Sequence, residues 1–224
     1  EANLSPIHAT DVFSAMVHSI RDITVRKRSE TQFNNLNRLY NVLSRTNQAI
    51  VQTQNQEQLF QRICDIAVDY GSFKMAWIGV IDGYNVRPDF FSGSESGYLQ
   101  EMKMRIDDSA WAKGPVGTAA KTLDVACVNS VRKDPDFEPW RDAAIERGYG
   151  ALAAVPLQFS GKLFGIFTLY SAHEHAFDTD MMALLRSLSK DISAAIYNLD
   201  QAQHRRLADA KIRQLSGAVE QSAN

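Results

Sequence analysis

The segment ALAAVPLQFSGKLFGIFTLYSA, residues 151–172, constrains the fold of this chain more than any other. Two strongly apolar runs flank Ser160-Gly161, a pair suited to a tight turn, so the segment predicts two adjacent antiparallel strands. A second hairpin precedes it. MAWIGVID (75–82) reads as a buried strand, Asp82-Gly83 as a turn and VRPDFFSG (86–93) as the partner strand. Pro88 lacks the N–H that a ladder needs, so this partner is predicted at a sheet edge or at a bulge.

The remaining elements follow from periodicity. QEQLFQRICDIAVDY (56–70) places Leu59, Phe60, Ile63, Cys64, Ala67 and Val68 on one helical face before Gly71, which makes Cys64 a core residue. Residues 94–117 form a long polar segment with a short helix near Leu99–Met104, and loops of that length in compact domains are often functional. GPVGTAAKT (114–122) then predicts a small-residue helix, DVACVN (124–129) a strand and FEPWRDAAIERG (137–148) a helix stopped by Gly148, while Asp178 and Thr179 can cap a last helix. This order predicts an α+β fold, a central antiparallel sheet with helices packed on one side and long helices at both termini.

Apolar residues make up 45% of the 224 and are densest over 59–81 and 151–170, so one core sits in the middle of the chain. The formal net charge of -2 supplies no general attraction to nucleic acid or to anionic membrane surfaces, and neither partner is expected. Cys64 and Cys127, the only cysteines, are too few for a disulfide scaffold and suit a reducing, cytoplasmic setting. No apolar run approaches the roughly 20 residues needed to span a bilayer.

Both flanks carry heptad-like stripes. Phe33, Leu36, Tyr40, Leu43, Asn47 and Ile50 alternate spacings of three and four, with Asn47 where a buried amide sets register by pairing with its twin. Leu185, Leu188, Ile192, Ala195, Leu199 and Ala202 repeat the pattern. The expectation is a homodimer through parallel terminal helices; the alternative is that a stripe this short packs on its own domain. Beyond Ala202 the frame meets Arg206 and Asp209, whereas Ile212, Leu215 and Val219 lie one position out, which predicts a break, an unwound turn or a separate helix near His204–Arg206.

The element order, together with WIGVID, GPVGTA, DVACVNSV, DPDFEPWRDAAIERGYGALAAVPL and GKLFGIFTLYSA...FDTDMMALL, resembles the GAF family of bacterial signalling proteins over roughly residues 33–198. RDITVRKRSE (21–30) resembles the end of a PAS domain, and KIRQLSGAVEQSAN (211–224) the opening helix of another. The resemblance implies four parts: 1–30 the end of a PAS-like domain or a tail, 31–54 a linker helix, 55–198 the GAF domain, and 199–224 a signalling helix leading to a PAS domain. It further implies a parent ending in a cyclic di-GMP synthase, a cyclic di-GMP phosphodiesterase or a histidine kinase, although no output-domain motif is present here.

Specific chemistries fit poorly. Cyclic-nucleotide-binding relatives carry an Asn-Lys pair and Phe-x-x-x-Asp-Glu, whereas Phe177 is followed by Asp178, Thr179, Asp180 and Met181 with no such pair upstream. Neither cysteine precedes a histidine, as bilin attachment would favour. Free methionine sulfoxide reductases of this fold need an attacking thiolate and a resolving thiol; Cys127 occupies a strand position that could face a pocket, but Cys64 lies on a helix. His173 and His175 would need further ligands to hold zinc, and GSESG (93–97) has Glu95 where a nucleophilic serine would stand. No metal or cofactor is expected.

A small-molecule pocket remains, which in the family lies between the open face of the sheet and the loops after the second strand. Those loops supply Tyr98, Trp111 and Trp140, the sheet supplies Trp77 and Phe91, and Gly114 and Gly117 would offer backbone N–H groups to an acidic ligand. Each aromatic could instead be core, with the polar surroundings of Tyr98 and Trp111 arguing against their full burial. The leading expectation is a non-catalytic sensor and relay; the alternatives are a ligand-free dimerising spacer and a thiol enzyme acting through Cys127.

Overall fold

Ser160 and Gly161 adopt φ of 49° and 75°, the paired positive values that let a two-residue turn match the twist of its strands. They join β4 (Ala151–Phe159) to β5 (Lys162–Ser171). The structure, a computed structural model, describes residues 37, 38 and 40–222, with the side chains of 110 and 215–222 excepted. Residues up to Tyr40 belong to one unit and those from Asn41 onward to a second, which holds everything described below except Tyr40.

β1 (Met75–Asp82) and β2 (Asn85–Gly93) form the other hairpin, and β3 (Ala126–Val128) completes a five-stranded antiparallel sheet of order β2-β1-β5-β4-β3. Pro88 has both predicted features, because β2 is an edge strand and its register with β1 shifts between Ile78 and Gly79. Register divides the side chains cleanly. Trp77, Thr168 and Ala154 lie on one face in line, as do Met75, Tyr170, Leu152 and Val128. Ala76, Leu169, Ala153 and Cys127 share the other.

Two long helices cover that second face. In α2 (Gln56–Asp69) the Asn55 side chain caps the N–H of Glu57, and Phe60 meets Phe90 edge-on with centroids 5.4 Å apart. The last helix, α6 (Thr179–Ser222), begins with the Asp178 carboxylate accepting from the Met181 N–H at 2.9 Å. It is seated along β4 by Ser189, which donates to the Pro156 carbonyl, and by Ser193, which accepts from the Gln158 N–H at 2.9 Å. The first face is covered by shorter pieces: α3 (Tyr98–Glu101), α4 (Pro115–Thr122), a 3-10 turn over Pro135–Trp140 and α5 (Arg141–Glu146). The single helix expected over 137–148 divides because Pro139 has no N–H to give to an α-helical ladder.

The stripes resolve differently from their expected seam. Leu185, Leu188 and Ile192 are buried in the domain's own core under α6, and side chains that fill a core cannot also line a helix–helix seam. Leu199 and Ala202 are half-buried. The predicted break near His204–Arg206 is absent, for α6 continues unbroken through it. On α1, residues 41–52, the inward face is Val42, Thr46 and Ala49, whereas Asn47 is exposed and Leu43 and Ile50 are half-buried. Tyr40 is 70% exposed. Phe33, Leu36 and the PAS-like segment 21–30 lie outside the described residues. No described helix is long and apolar enough to cross a membrane.

Candidate functional site

The central strand β5 carries Thr168 and Tyr170 two residues apart, so the pleat puts both on the face opposite α2 and α6. Tyr170 packs against Tyr149 and Tyr98, with ring centroids 4.7 and 5.7 Å away. Beside it is a small cavity. Its floor is Leu152 and Tyr170; Gly114 and Val116 of α4, Phe137, Trp140, Met104 and Trp111 form the walls and cover. The free space is about 10 Å³, room for roughly one water molecule.

Tight packing around Trp140 explains the closure. A Cβ on Gly114 would come within 2.9 Å of the indole ring, so only glycine lets α4 approach it. Trp140 also donates through Nε1 to the Lys103 carbonyl at 3.3 Å and meets Trp111 edge-on with centroids 5.8 Å apart. Trp111, on the 3-10 turn Ala110–Ala112, is 37% exposed and forms the outer cover.

Beneath this apolar chamber lies an unusual group of polar atoms. Trp77 Nε1, Tyr98 Oη, Thr168 Oγ1 and Tyr170 Oη are all buried, yet none makes a well-formed hydrogen bond. Burial pushes the Tyr170 phenol up to about 12, opposed by the nearby polar hydrogens of Trp77 and Tyr98. Burial likewise raises the Tyr98 phenol, so both tyrosines remain neutral hydrogen-bond donors. A buried polar group without a partner costs about 1–3 kcal/mol, and native structures tolerate few of them. Tyr149 differs, because its hydroxyl donates to the Ser94 carbonyl. Among the described residues no charged side chain lines the chamber. Arg147 stands behind Tyr98, 5.2 Å from the ring centroid, with its guanidinium bonded to the carbonyls of Ala143 and Ser96 and to Glu101.

Of the residues singled out in the sequence, the structure brings Trp111, Gly114 and Trp140 together at the cavity. Trp77 and Tyr98 lie in the adjoining core and are fully buried. Tyr98 thus departs from the partial exposure its polar neighbours predicted: the Glu95 carboxylate accepts from the N–H groups of Gly97 and Leu99, which satisfies the loop and turns the ring inward. Phe91 is 46% exposed at the edge strand and lines no part of the cavity. Gly117 faces the Ala112 carbonyl, and Pro115 at the first turn of α4 removes one of the amides expected for an acidic ligand. Sequence reasoning missed Thr168 and Tyr170. Their signal was two hydroxyl-bearing residues at strand spacing within GIFTLYS, a run otherwise apolar up to its end.

The cysteines are placed against a thiol mechanism. Cys64 lies on α2 with Sγ 3.7 Å from the Phe90 carbonyl, beside one sheet edge. Cys127 lies on β3 at the opposite edge, four strands away or roughly 19 Å, whereas a disulfide needs Cα atoms within about 7 Å. The pocket-facing orientation considered for Cys127 is overturned by register, which sets it with Ala153 and Leu169 on the α6 side. Burial pushes both thiols up, reinforced by Asp65 at Cys64 and by Asp134 at Cys127, so both are protonated and weakly nucleophilic near neutral pH. In the native protein Cys127 is expected to react slowly with an aromatic disulfide reagent, faster as pH rises, and Cys64 only after unfolding. Mild oxidation should leave no internal disulfide on non-reducing peptide mapping; a rapid thiol at pH 7 would contradict this placement. Among the described residues no three His, Cys, Asp or Glu side chains converge as metal ligands.

A family model described as "GAF domain" matches residues 53–196, more than half of the chain. No curated protein matches it in sequence. Similar solved structures include the free methionine-R-sulfoxide reductase of Neisseria meningitidis in complex with its substrate, 16% identical over 73% of this chain and 91% of that one, with a TM-score of 0.61. The GAF domain of a phosphoenolpyruvate-protein phosphotransferase from Coxiella burnetii is 17% identical, covers 79% of this chain and 99% of its own, and has a TM-score of 0.58. The GAF domain region of a membrane protein from Geobacter sulfurreducens is 18% identical over 63% and 92%, with a TM-score of 0.53. At such identities the likeness concerns the fold alone.

Proposed function

The chain belongs to the GAF domain family, and from that membership we propose a non-catalytic module that binds a small molecule and relays the event to neighbouring domains of a signalling protein. The observation that carries it is the set of four buried polar groups without a well-formed hydrogen bond next to a nearly closed cavity. A ligand that opened the chamber and paired with them would recover part of their desolvation cost. GAF domains and reductases both appear among the similar structures, and the separated, protonated thiols favour the regulatory reading over the enzymatic one.

The relay would run through a short physical link. α4, whose first residues form a cavity wall, ends at Leu123 in a left-handed conformation with φ 53°. The next residue, Asp124, holds Arg186 of α6 in a two-pronged ion pair at 2.7 and 3.1 Å. Such an exposed pair adds little stability; its use is geometric, tying a cavity wall to the exit helix. On the resemblances of 21–30 and 211–224, the parent is a cytoplasmic PAS-GAF-PAS protein with a cyclic di-GMP or histidine kinase output, dimeric through its terminal helices with the exposed Asn47 in the contact.

A thermal-shift screen with nucleotides, amino acids, small acids and haem tests the sensor, since ligand at a hundredfold excess over Kd should raise the melting temperature by roughly 5–11 °C. The closed cavity favours one rival, a ligand-free dimerising spacer. That reading gains if the screen is blank while solution mass shows a dimer that Asn47→Leu alters. A monomer at micromolar concentration would remove the dimeric relay.

A further inference from the structure

We propose that the cavity takes a small, uncharged aromatic compound bearing a hydrogen-bond acceptor, such as an amide or ketone oxygen, which pairs with the Tyr170 hydroxyl while its ring replaces the Trp111 indole against Trp140. The proposal rests on the sensor reading and specifies its ligand.

Four features converge on this chemistry. The first is donor character: Trp77 Nε1 can only donate, the hydrogens of Trp77 and Tyr98 are turned toward the Tyr170 oxygen, and the hydroxyls of Thr168 and Tyr170 have protons with no well-formed acceptor. Tyr170 is the member of that group that reaches the cavity wall. Trp77 lies opposite Thr168 across β1 and β5, and both Trp77 and Tyr98 act on the Tyr170 phenol, so one acceptor would enter a field of several donors.

The second feature is the absence of countercharge, for among the described residues no lysine, arginine or histidine lines the chamber. An ionised carboxylate or phosphate buried there would forfeit its hydration without an ion partner, a penalty that ordinarily keeps charges out of apolar sites. Arg147 offers no help, since its terminal nitrogens are bonded to Ala143, Ser96 and Glu101 behind Tyr98.

The third is shape. Phe137 and Trp140 lie 5.5 Å apart at a 40° tilt, and Trp111 closes on Trp140 at 71°, separations at which aromatic rings attract one another beyond simple burial. The fourth is access. Free space of about 10 Å³ admits no ring while the chamber is shut, so something must leave. Trp111 is the most exposed member of the wall, and its three-residue turn is short. The space it would vacate is that of an indole, which limits the ligand to one ring or two fused rings.

The test uses the full chain and three probes that differ in one property each: benzamide, benzoate and toluene. Melting temperature and intrinsic tryptophan emission are followed during titration. Benzamide should bind saturably, at least tenfold more tightly than benzoate or toluene, and shift the emission to the red as Trp111 enters water. Tyr170→Phe should weaken benzamide five- to tenfold and leave toluene unchanged. Because that variant deletes a buried group without a well-formed hydrogen bond, its own melting temperature should hold or rise, and Thr168→Val provides a second probe of the same wall. Benzoate binding as tightly as benzamide, toluene matching it, or an unchanged affinity in Tyr170→Phe would each overturn the assignment. If the three probes fail while a nucleotide, an amino acid or haem raises the melting temperature, this ligand class is wrong and the sensor reading stands. If nothing shifts it, both fall.

Discussion

Trp140→Ala is expected to lower the melting temperature by roughly 6–20 °C, from a loss of about 3–5 kcal/mol for emptying a large aromatic site. Trp140 is buried, touches Phe137 and Trp111 and spends its indole N–H on the Lys103 carbonyl. The space cannot collapse easily, because its floor is Leu152 and Tyr170 in the middle of a sheet paired on both sides. Adding indole should restore part of the lost stability by filling the void, which separates a local cavity from general misfolding. Thermal melts with and without indole decide the matter, and a loss below about 3 °C would show that the chamber wall is softer than its packing implies.

Gly117→Ala should also destabilise strongly, by about 3 kcal/mol or roughly 6–12 °C. The sign is informative, because glycine to alanine inside a helix ordinarily gains about 1 kcal/mol. Here the added Cβ would overlap the Ala112 carbonyl oxygen and stand 2.7 Å from the Ala112 Cα. Backbone atoms have no rotamer in which to escape, so α4 and the turn carrying Trp111 must separate. Tryptophan emission of the variant should therefore shift to the red before any unfolding. A variant as stable as the parent, with unchanged emission, would mean that α4 and this turn are not in the close contact described.

The two hairpins were legible because everything that specifies them is local. Apolar runs give strand length, Ser160-Gly161 and Gly83 supply the positive φ, and Pro88 announces both the edge and the bulge. α2 was legible for the same reason, since one amphipathic face and a polar cap need no distant partner. The site was much less so. Tyr98 is buried by a carboxylate three residues earlier and by tyrosines at 149 and 170, and no window of sequence around it contains those partners. Cys127 could face either way until the β3–β4 register is known, because a shift of one residue exchanges the faces. The stripe Leu185–Ile192 has the spacing of a helix–helix seam, yet a helix lying on a sheet needs the same spacing, and only the position of β4 separates the two.

The unbroken run of α6 has a mechanical consequence. It spans Thr179–Ser222, 44 residues or about 66 Å, but Ile196 is its last buried side chain among those described and positions 203–214 are exposed. Leu199 and Ala202 are still half-buried, so roughly 30 Å of helix, from position 203 on, extends past its seating. With Asp124 gripping Arg186 near the root, a tilt of about 5° at the domain would sweep the distal end through about 3 Å, close to half a helical turn along an adjoining surface. The exit helix thus has the proportions of an indicator needle, held along its first half and read along its second.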